Sequence, residues 1–213
     1  MQKEAQLDDL NPINFDTGPQ TIDDVAHQFS FDLRLFHRRI DNGDDWQKTI
    51  QGHLFLDHEL TKTLEEGLAH PERISLDRMS FSSKLDFCSA MGLVEPKLEA
   101  MIRRINKLRN NISHDLQFLV LEQHAKEIRD LSPPFALNLL NIQINENKSS
   151  LLTNCLKVAI VTLDMNRQIL SQQREQEKKR TQDLNAAIEN ARRVLEQIDP
   201  LRKSQVRDDS SEP

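Results

Sequence analysis

Tyrosine is missing from this sequence of 213 residues, which also contains only 5 glycines and 8 prolines. Hairpins and sheets need glycine at their turns and runs of aromatic or β-branched residues in their strands. The sequence supplies little of either, so its composition favours an all-α protein. The length suits one sizeable helical domain with extensions.

Cysteine is scarce as well, and the charge balance is acidic. Cys88 and Cys155 both fall among apolar residues on helical patterns, which is typical of buried reduced thiols. Their spacing fits no metal site, and we expect no metal and no other cofactor. The formal net charge of −6 argues against a surface that coats nucleic acid. A local cationic patch could still contact a few phosphates.

Long hydrophobic runs are absent too. No apolar stretch approaches the roughly 20 residues that a membrane-spanning helix needs. The first residues, Met1-Gln2-Lys3-Glu4, do not resemble the apolar core of a signal peptide. These features predict a cytoplasmic protein without a membrane partner.

Apolar residues recur every three or four positions through most of the chain, a spacing typical of amphipathic helices. A first helix is predicted from a capping motif at Thr21 to Ile40, and a long second helix over 45–68. A shorter helix ends at Gly92, and Pro96 suits the first turn of the next. Two further helices are predicted over about 117–131 and from Ser149 or Ser150 onwards.

The apolar faces of these helices predict the core. His53 and His58 flank Asp57 on the second helix, and we expect exposed histidines there rather than a metal site. The strongest stripe belongs to the helix that begins at Pro96, and its members are Leu98, Met101, Ile102, Ile105, Leu108 and Ile112. Four further residues are also expected in the core, namely Phe29, Phe36, Trp46 and Leu54.

Polar stretches near both ends set the organisation of the chain. We predict a flexible N-terminal arm over 1–20, a helical bundle over 21–170, a polar helical extension over 171–199 and a disordered tail over 200–213. The extension could fold back as a helical hairpin, form a short coiled coil or dock on a partner. Its apolar stripe consists of Leu184, Ile188, Ala191, Leu195 and Ile198.

The segment that carries candidate chemistry is Arg109-Asn110-Asn111-Ile112-Ser113-His114. Asn110 and His114 are four residues apart, so they share one face if the helix continues. Arg109 lies roughly 140° from His114 around an ideal helix. A single helix therefore gives an imperfect site, which a second copy of the chain would complete. The candidate catalytic residues are Arg109, Asn110 and His114.

These side chains suit cleavage of RNA by attack of the ribose 2′-hydroxyl on the adjacent phosphate. A histidine with a pKa near 6.5 can give or take a proton, and an arginine can donate bidentate hydrogen bonds to two phosphate oxygens. No metal is needed for this reaction. Three cations that precede the segment, Arg103, Arg104 and Lys107, are candidate RNA phosphate ligands or a solvated basic face.

The stretch from Phe81 to Val94, followed by Leu98 and the segment Ile105–Asp115, resembles the HEPN superfamily. The nearest branch is the mannitol-operon-repressor-like one, in which a short helix ending in Gly-Leu precedes an Arg-Asn-x-x-x-His turn. The resemblance covers about 25–170 and is most specific over 81–115. It implies an up-and-down helical bundle with an additional C-terminal helix here.

In this family the bundle usually forms a symmetric homodimer, whose two motifs face each other across a cleft. Catalytic members cleave RNA without a metal through the arginine and histidine of the motif. These roles would fall on Arg109 and His114, and Asn110 matches the polar residue that often follows the arginine. Leu116 occupies the place where the toxin branch with a nucleotidyltransferase antitoxin has tyrosine, so tyrosine-directed neutralisation does not apply.

Three functions are compatible with these features. The first is a metal-independent endoribonuclease that acts as a toxin or defence effector. The second is a non-catalytic transcriptional regulator or adaptor that works through an antitoxin or regulatory protein, as the repressor-like resemblance implies. The third, weaker, is binding of a nucleotide or another small ligand in the motif cleft.

Overall fold

The computed structural model describes residues 29–115, 117–138 and 150–208. Within these ranges the chain is helical and contains no strand, which confirms the all-α prediction. The predicted arm over 1–20 and the capping motif at Thr21 lie outside the described residues. The helices are α1 (Leu33–Asp41), α2 (Asp45–Gly67), α3 (Phe81–Ala90), α4 (Pro96–His114), α5 (Glu122–Asp130) and α6 (Leu151–Asp208), with 3-10 turns at Pro71–Arg73 and Leu76–Arg78.

Local capping signals place several helix ends where the sequence predicts them. The carboxylate of Asp44 accepts a hydrogen bond from the Gln47 amide at 2.8 Å, and the Gln47 side chain accepts one from the Asp44 amide at 3.2 Å. This reciprocal pair starts α2. Gly92, with φ of +68°, ends α3, and the Leu93 amide donates back to the Cys88 carbonyl at 2.8 Å.

Helix α1 begins later than the periodicity suggested. The chain bends over 29–31, and Asp32 caps α1 by accepting a hydrogen bond from the Leu35 amide at 2.8 Å. The prediction of a continuous helix from Thr21 to Ile40 is therefore wrong over 29–32. An aspartate that satisfies the first free amides of a helix fixes the start of that helix more strongly than apolar spacing does.

The core lies between α2, α4 and α6, and α3 and α5 flank it. The predicted stripe of α4 is confirmed, because all six of its residues are buried. Trp46 and Leu54 were predicted wrongly, since 46% and 57% of their surfaces are exposed. The inward face of α2 instead passes through Gly52, where an added Cβ would lie only 3.0 Å from the Leu156 side chain. Close packing against α6 therefore buries the face of α2 that carries Gly52, and not the face that carries Trp46 and Leu54.

Helix α6 is continuous from the core to Asp208. Of the three alternatives for the extension, the helical hairpin is wrong for the described part of the chain, because the helix does not reverse between 171 and 199. The predicted tail boundary at 200 is not a helix end either, and 209–213 lie outside the described residues. All residues over 175–195 are exposed, including the apolar Leu184, Ile188 and Leu195.

Both cysteines are free and buried, as predicted. Burial raises the pKa of each thiol to about 12, which suits a structural rather than a reactive role. Among the described helices, none combines the length and apolar character that a bilayer crossing requires.

Candidate functional site

The predicted catalytic residues lie in the last two turns of α4. Leu108 and Ile112 anchor these turns in the core, which leaves Arg109 and Asn110 half-buried and His114 exposed. The Arg109 Nη1 atom donates a hydrogen bond to Asn110 Oδ1 at 3.1 Å. The helix ends at His114, so this side chain stands at the terminal turn.

Arg109 and Asn110 line a cleft of about 420 Å³ between α2, α4 and the start of α3. The structure therefore brings Arg109 and Asn110 together in the cleft, whereas His114, one turn after Asn110 at the end of α4, does not line it. The residues that line this Arg109 cleft are His53, Leu54, Asp57, Met79, Ser80, Phe81, Ser82, Asn106, Arg109 and Asn110.

A different histidine, His53, lies in the Arg109 cleft. It is only 7% exposed, so the expectation of an exposed histidine is wrong here. Its Nε2 lies 3.0 Å from Asn106 Oδ1, and its ring stacks on Phe81 with 4.1 Å between centroids. Burial, together with the charge of Arg109, lowers the pKa of His53 despite the hydrogen bond to Asn106. The imidazole is therefore neutral at pH 7, and since amide oxygens only accept, Nε2 is its donor.

Arg103 and Arg104 each have a carboxylate partner. Arg103 donates from Nε to Glu99 at 2.8 Å and from Nη2 to Asp86 at 2.5 Å. Arg104 donates from Nε to Glu127 at 2.7 Å. The hydrogen bond from Arg104 lowers the pKa of Glu127, which keeps this pair ionised.

Lys107 is exposed and makes no ion pair with the described residues. The predicted phosphate-binding role of the three cations stays a prediction. The positive charge of Arg103 and of Arg104 is balanced by carboxylates of the same chain.

Arg109 differs from these arginines because no carboxylate within the described ranges pairs with it. The other cation beside the cleft, Lys84, is neutralised by Asp57, whose two oxygens both lie 2.9 Å from its Nζ. Arg109 thus supplies an uncompensated positive charge to the cleft.

Metal ligation has no support among the described residues, where no three His, Cys, Asp or Glu side chains are grouped to hold an ion. His53 and His58 do not converge on Asp57. His58 Nε2 instead lies 3.2 Å from the Ser30 carbonyl, while His53 is bonded to Asn106.

A second polar cluster lies inside the bundle, where α2 meets α6. Glu59 and Asp164 are completely buried, and the Arg167 guanidinium bridges them. Its Nη2 donates to Asp164 at 2.6 Å and its Nε to Glu59 at 3.3 Å, while Nη1 reaches Glu66 at 2.6 Å. Ser30 closes the cluster by donating its hydroxyl to Glu59 and its amide to Asp164.

Sequence reasoning missed this cluster. The available signal was the position of Glu59 between the buried Leu56 and Leu60, and of Asp164 directly after Leu163. Charged residues within an apolar stripe indicate a buried ion network when opposite charges are available.

Comparison with known proteins gives no family for this chain. No family model matches the sequence, and neither the curated proteins nor the solved structures contain a significant match.

Proposed function

We propose that this chain is a metal-independent endoribonuclease of the HEPN type, a toxin or defence effector, which acts as a homodimer. The observation that carries the proposal is the environment of Arg109. Among the arginines of α4, Arg103 and Arg104 are paired with carboxylates, whereas Arg109 faces a polar cleft with no acidic partner in the described residues. An unpaired guanidinium of this kind suits a phosphodiester.

The proposed reaction needs a base, an acid and a cation. His114 takes the proton from the ribose 2′-hydroxyl, and the 2′-oxygen attacks the adjacent phosphorus. The bond from phosphorus to the 5′-oxygen breaks, and that oxygen leaves with a proton donated by a water molecule, which serves as the acid. Arg109 stabilises the extra negative charge on the phosphoryl oxygens in the transition state, and Asn110 orients the guanidinium through its 3.1 Å hydrogen bond. The products are a 2′,3′-cyclic phosphate and a 5′-hydroxyl.

A homodimer accounts for the position of His114 outside the Arg109 cleft of its own chain. Trp46 and Leu54 lie on the outer side of α2, with the partly buried Ile50 midway between them in sequence, and Leu54 also lines the Arg109 cleft. Trp46 and Leu54 are about half exposed, so this apolar ridge is available to a second copy. We infer that a copy seated there contributes its His114 to the Arg109 cleft of the first.

We expect purified wild-type protein to cut single-stranded RNA in the presence of EDTA, and Arg109→Ala and His114→Ala each to lower the rate at least ~100-fold. This magnitude is typical of losing a placed cation or an acid–base group. The measurement is the rate of appearance of cyclic-phosphate ends. Arg193→Ala, which removes an exposed cation from the extension, is the matched control and should cut like wild type.

Mixing the two inactive variants tests the dimer. If Arg109 of one subunit acts with His114 of the other, a heterodimer of Arg109→Ala and His114→Ala regains one intact site. Cleavage should therefore return to a substantial fraction of the wild-type rate. Intact RNA under all conditions, together with unimpaired growth of bacteria that express the wild-type chain, would rule out the nuclease.

The exposed extension favours a second candidate function, a non-catalytic regulator or adaptor that binds a protein partner. Leu184, Ile188 and Leu195 are about 60% exposed and lie on one face of α6 at heptad spacing. Apolar residues at such a spacing are typical of a helix that packs against another helix.

For this second function we expect the double substitution Leu184→Glu with Ile188→Glu to abolish partner binding and cellular activity, while Arg109→Ala is tolerated. The matched control adds the same charges to the opposite face, as Ala186→Glu with Asn190→Glu. Co-purification from cells, followed by identification of the bound protein, is the measurement. If the two double variants show the same partner binding and cellular activity, the apolar stripe is not a docking surface.

A further inference from the structure

The Arg109 cleft has two chemically different walls. Leu54, Met79 and Phe81 supply apolar surface, whereas His53, Asn106 and Asn110 supply polar groups. Its volume of about 420 Å³ falls within the range of pockets that hold small organic ligands, roughly 300–1,000 Å³. The cleft is therefore built for a ligand that has an apolar face and a polar edge.

The aromatic part of the cleft is preorganised. Phe81 and His53 are stacked with an interplanar angle of 29°, and the hydrogen bond from His53 to the Asn106 oxygen fixes the imidazole. Phe81 is only partly buried, so part of its surface is open to the cleft. Fixed aromatic side chains of this kind stack on the bases of unpaired nucleotides, which lose little additional freedom on binding.

Polar groups beside the stacked Phe81 and His53 rings can form hydrogen bonds with the edge of a base. The Asn106 amide nitrogen is 3.3 Å from Ser82 Oγ, close to the upper limit of a hydrogen bond. Asn110 uses its oxygen to accept from Arg109, and its amide nitrogen has no acceptor among the described residues. Amide groups offer both donors and acceptors, which complement the hydrogen-bonding edge of a nucleobase.

The charges in the cleft fit a single phosphodiester. Lys84 and Asp57 cancel each other, which leaves Arg109 as the uncompensated charge among the described residues around the cleft. A phosphodiester carries one negative charge. An acidic peptide would match the charge but not the stacked rings.

We propose that the Arg109 cleft is a base-binding subsite that holds one unpaired nucleotide of RNA, with its base against Phe81 and its phosphodiester on Arg109. This inference rests on the proposed ribonuclease function for its choice of RNA. It adds that the enzyme recognises the base next to the phosphate it cuts.

The test is binding of a labelled six-nucleotide single strand of 2′-O-methyl RNA, which cannot be cleaved, to the full chain by fluorescence anisotropy. Phe81→Leu removes the aromatic face, and we expect it to weaken binding about tenfold, as loss of one base–aromatic stack does. Phe87→Leu makes the same change at an exposed position of α3 outside the cleft and should bind like wild type.

Titration with 5′-AMP and with inorganic phosphate gives a second measurement that needs no substitution. We expect the nucleotide to shift the methyl resonance of Met79, which lines the cleft, and to leave that of Met91 unmoved. Phosphate alone should displace the labelled strand at least tenfold less effectively than 5′-AMP. Equal displacement by phosphate, or an unmoved Met79 signal, would overturn the base subsite.

The outcomes separate this inference from the nuclease proposal. If the wild-type chain binds the strand through Phe81 but cuts no RNA, the base subsite is supported and the nuclease proposal is wrong. If the wild-type chain cuts RNA but the Phe81→Leu variant binds the strand equally well, the nuclease is supported and the base subsite is wrong.

Discussion

Replacing Arg167 by methionine is expected to lower the free energy of unfolding by about 3–5 kcal/mol, the usual effect of breaking a buried ion cluster by removing one partner. Methionine preserves much of the side-chain volume but not the charge. Glu59 and Asp164 would then remain completely buried without the guanidinium that bridges them. The cost comes from two buried carboxyl groups that lose their counter-charge and must take up a proton or admit water.

Urea unfolding monitored by circular dichroism at pH 7 measures this loss. Arg193→Met is the control, because Arg193 lies on the exposed extension and its pair with Glu189 is largely solvated. We expect the control to change stability by less than ~0.5 kcal/mol. A loss below about 1 kcal/mol in Arg167→Met would contradict this prediction and show that protonation or water compensates the two carboxyl groups without the guanidinium.

Glu59→Gln is expected to remove a large part of the pH dependence of stability. Burial, reinforced by the negative charge of Asp164, raises the pKa of Glu59 from 4.5 to about 7, although Ser30 and Arg167 oppose this shift. The folded protein thus holds a proton that the unfolded chain releases between these two pH values. The resulting stability is fully present below pH 4.5 and is lost as pH rises through about 7.

The expected loss of stability between pH 4.5 and pH 7 is on the order of 3 kcal/mol at about 1.4 kcal/mol per pH unit. Glutamine keeps an oxygen that can accept the hydrogen bond from Ser30 and cannot ionise. The measurement is the difference between wild-type and Glu59→Gln unfolding free energies at several pH values. Glu189→Gln, an exposed control, should follow wild type. Parallel curves for wild type and Glu59→Gln would contradict the assignment.

The features of the fold that could be predicted from the sequence are those set by neighbouring residues. Asp44 and Gln47 cap each other, and Gly92 supplies the left-handed residue at which α3 ends. The stripe of α4 could be predicted because every apolar residue in it faces the core. Each of these signals acts within a few positions of the chain, so no knowledge of tertiary contacts is needed.

Errors arose where a distant element decides which side of a helix is buried. Gly52 lets α6 approach α2 so closely that Leu54 and Trp46 turn outward and His53 turns inward. Hydrophobicity alone predicts burial of the face that carries Trp46 and Leu54, because their side chains are large and apolar. It contains no information about how closely α6 approaches α2.

The candidate site shows the same division between local and distant information. The sequence picks out Arg109, Asn110 and His114 because their spacing is local. It does not reveal that Glu127 neutralises Arg104 from 23 positions away, or that Phe81 and His53 stack beside Arg109. Whether a cation is available to a ligand depends on such partners.

Because α6 is one continuous helix, it mechanically couples the bundle to any partner that binds the extension. Arg174 donates to the carbonyl of Glu66 at the edge of the bundle, and Leu195 lies about 30 Å further along at about 1.5 Å per residue. Tilting this rod by ~5° at Arg174 would move Leu195 by about 3 Å. Force applied near Leu195 would in turn be delivered to the buried Arg167, two turns before the pivot.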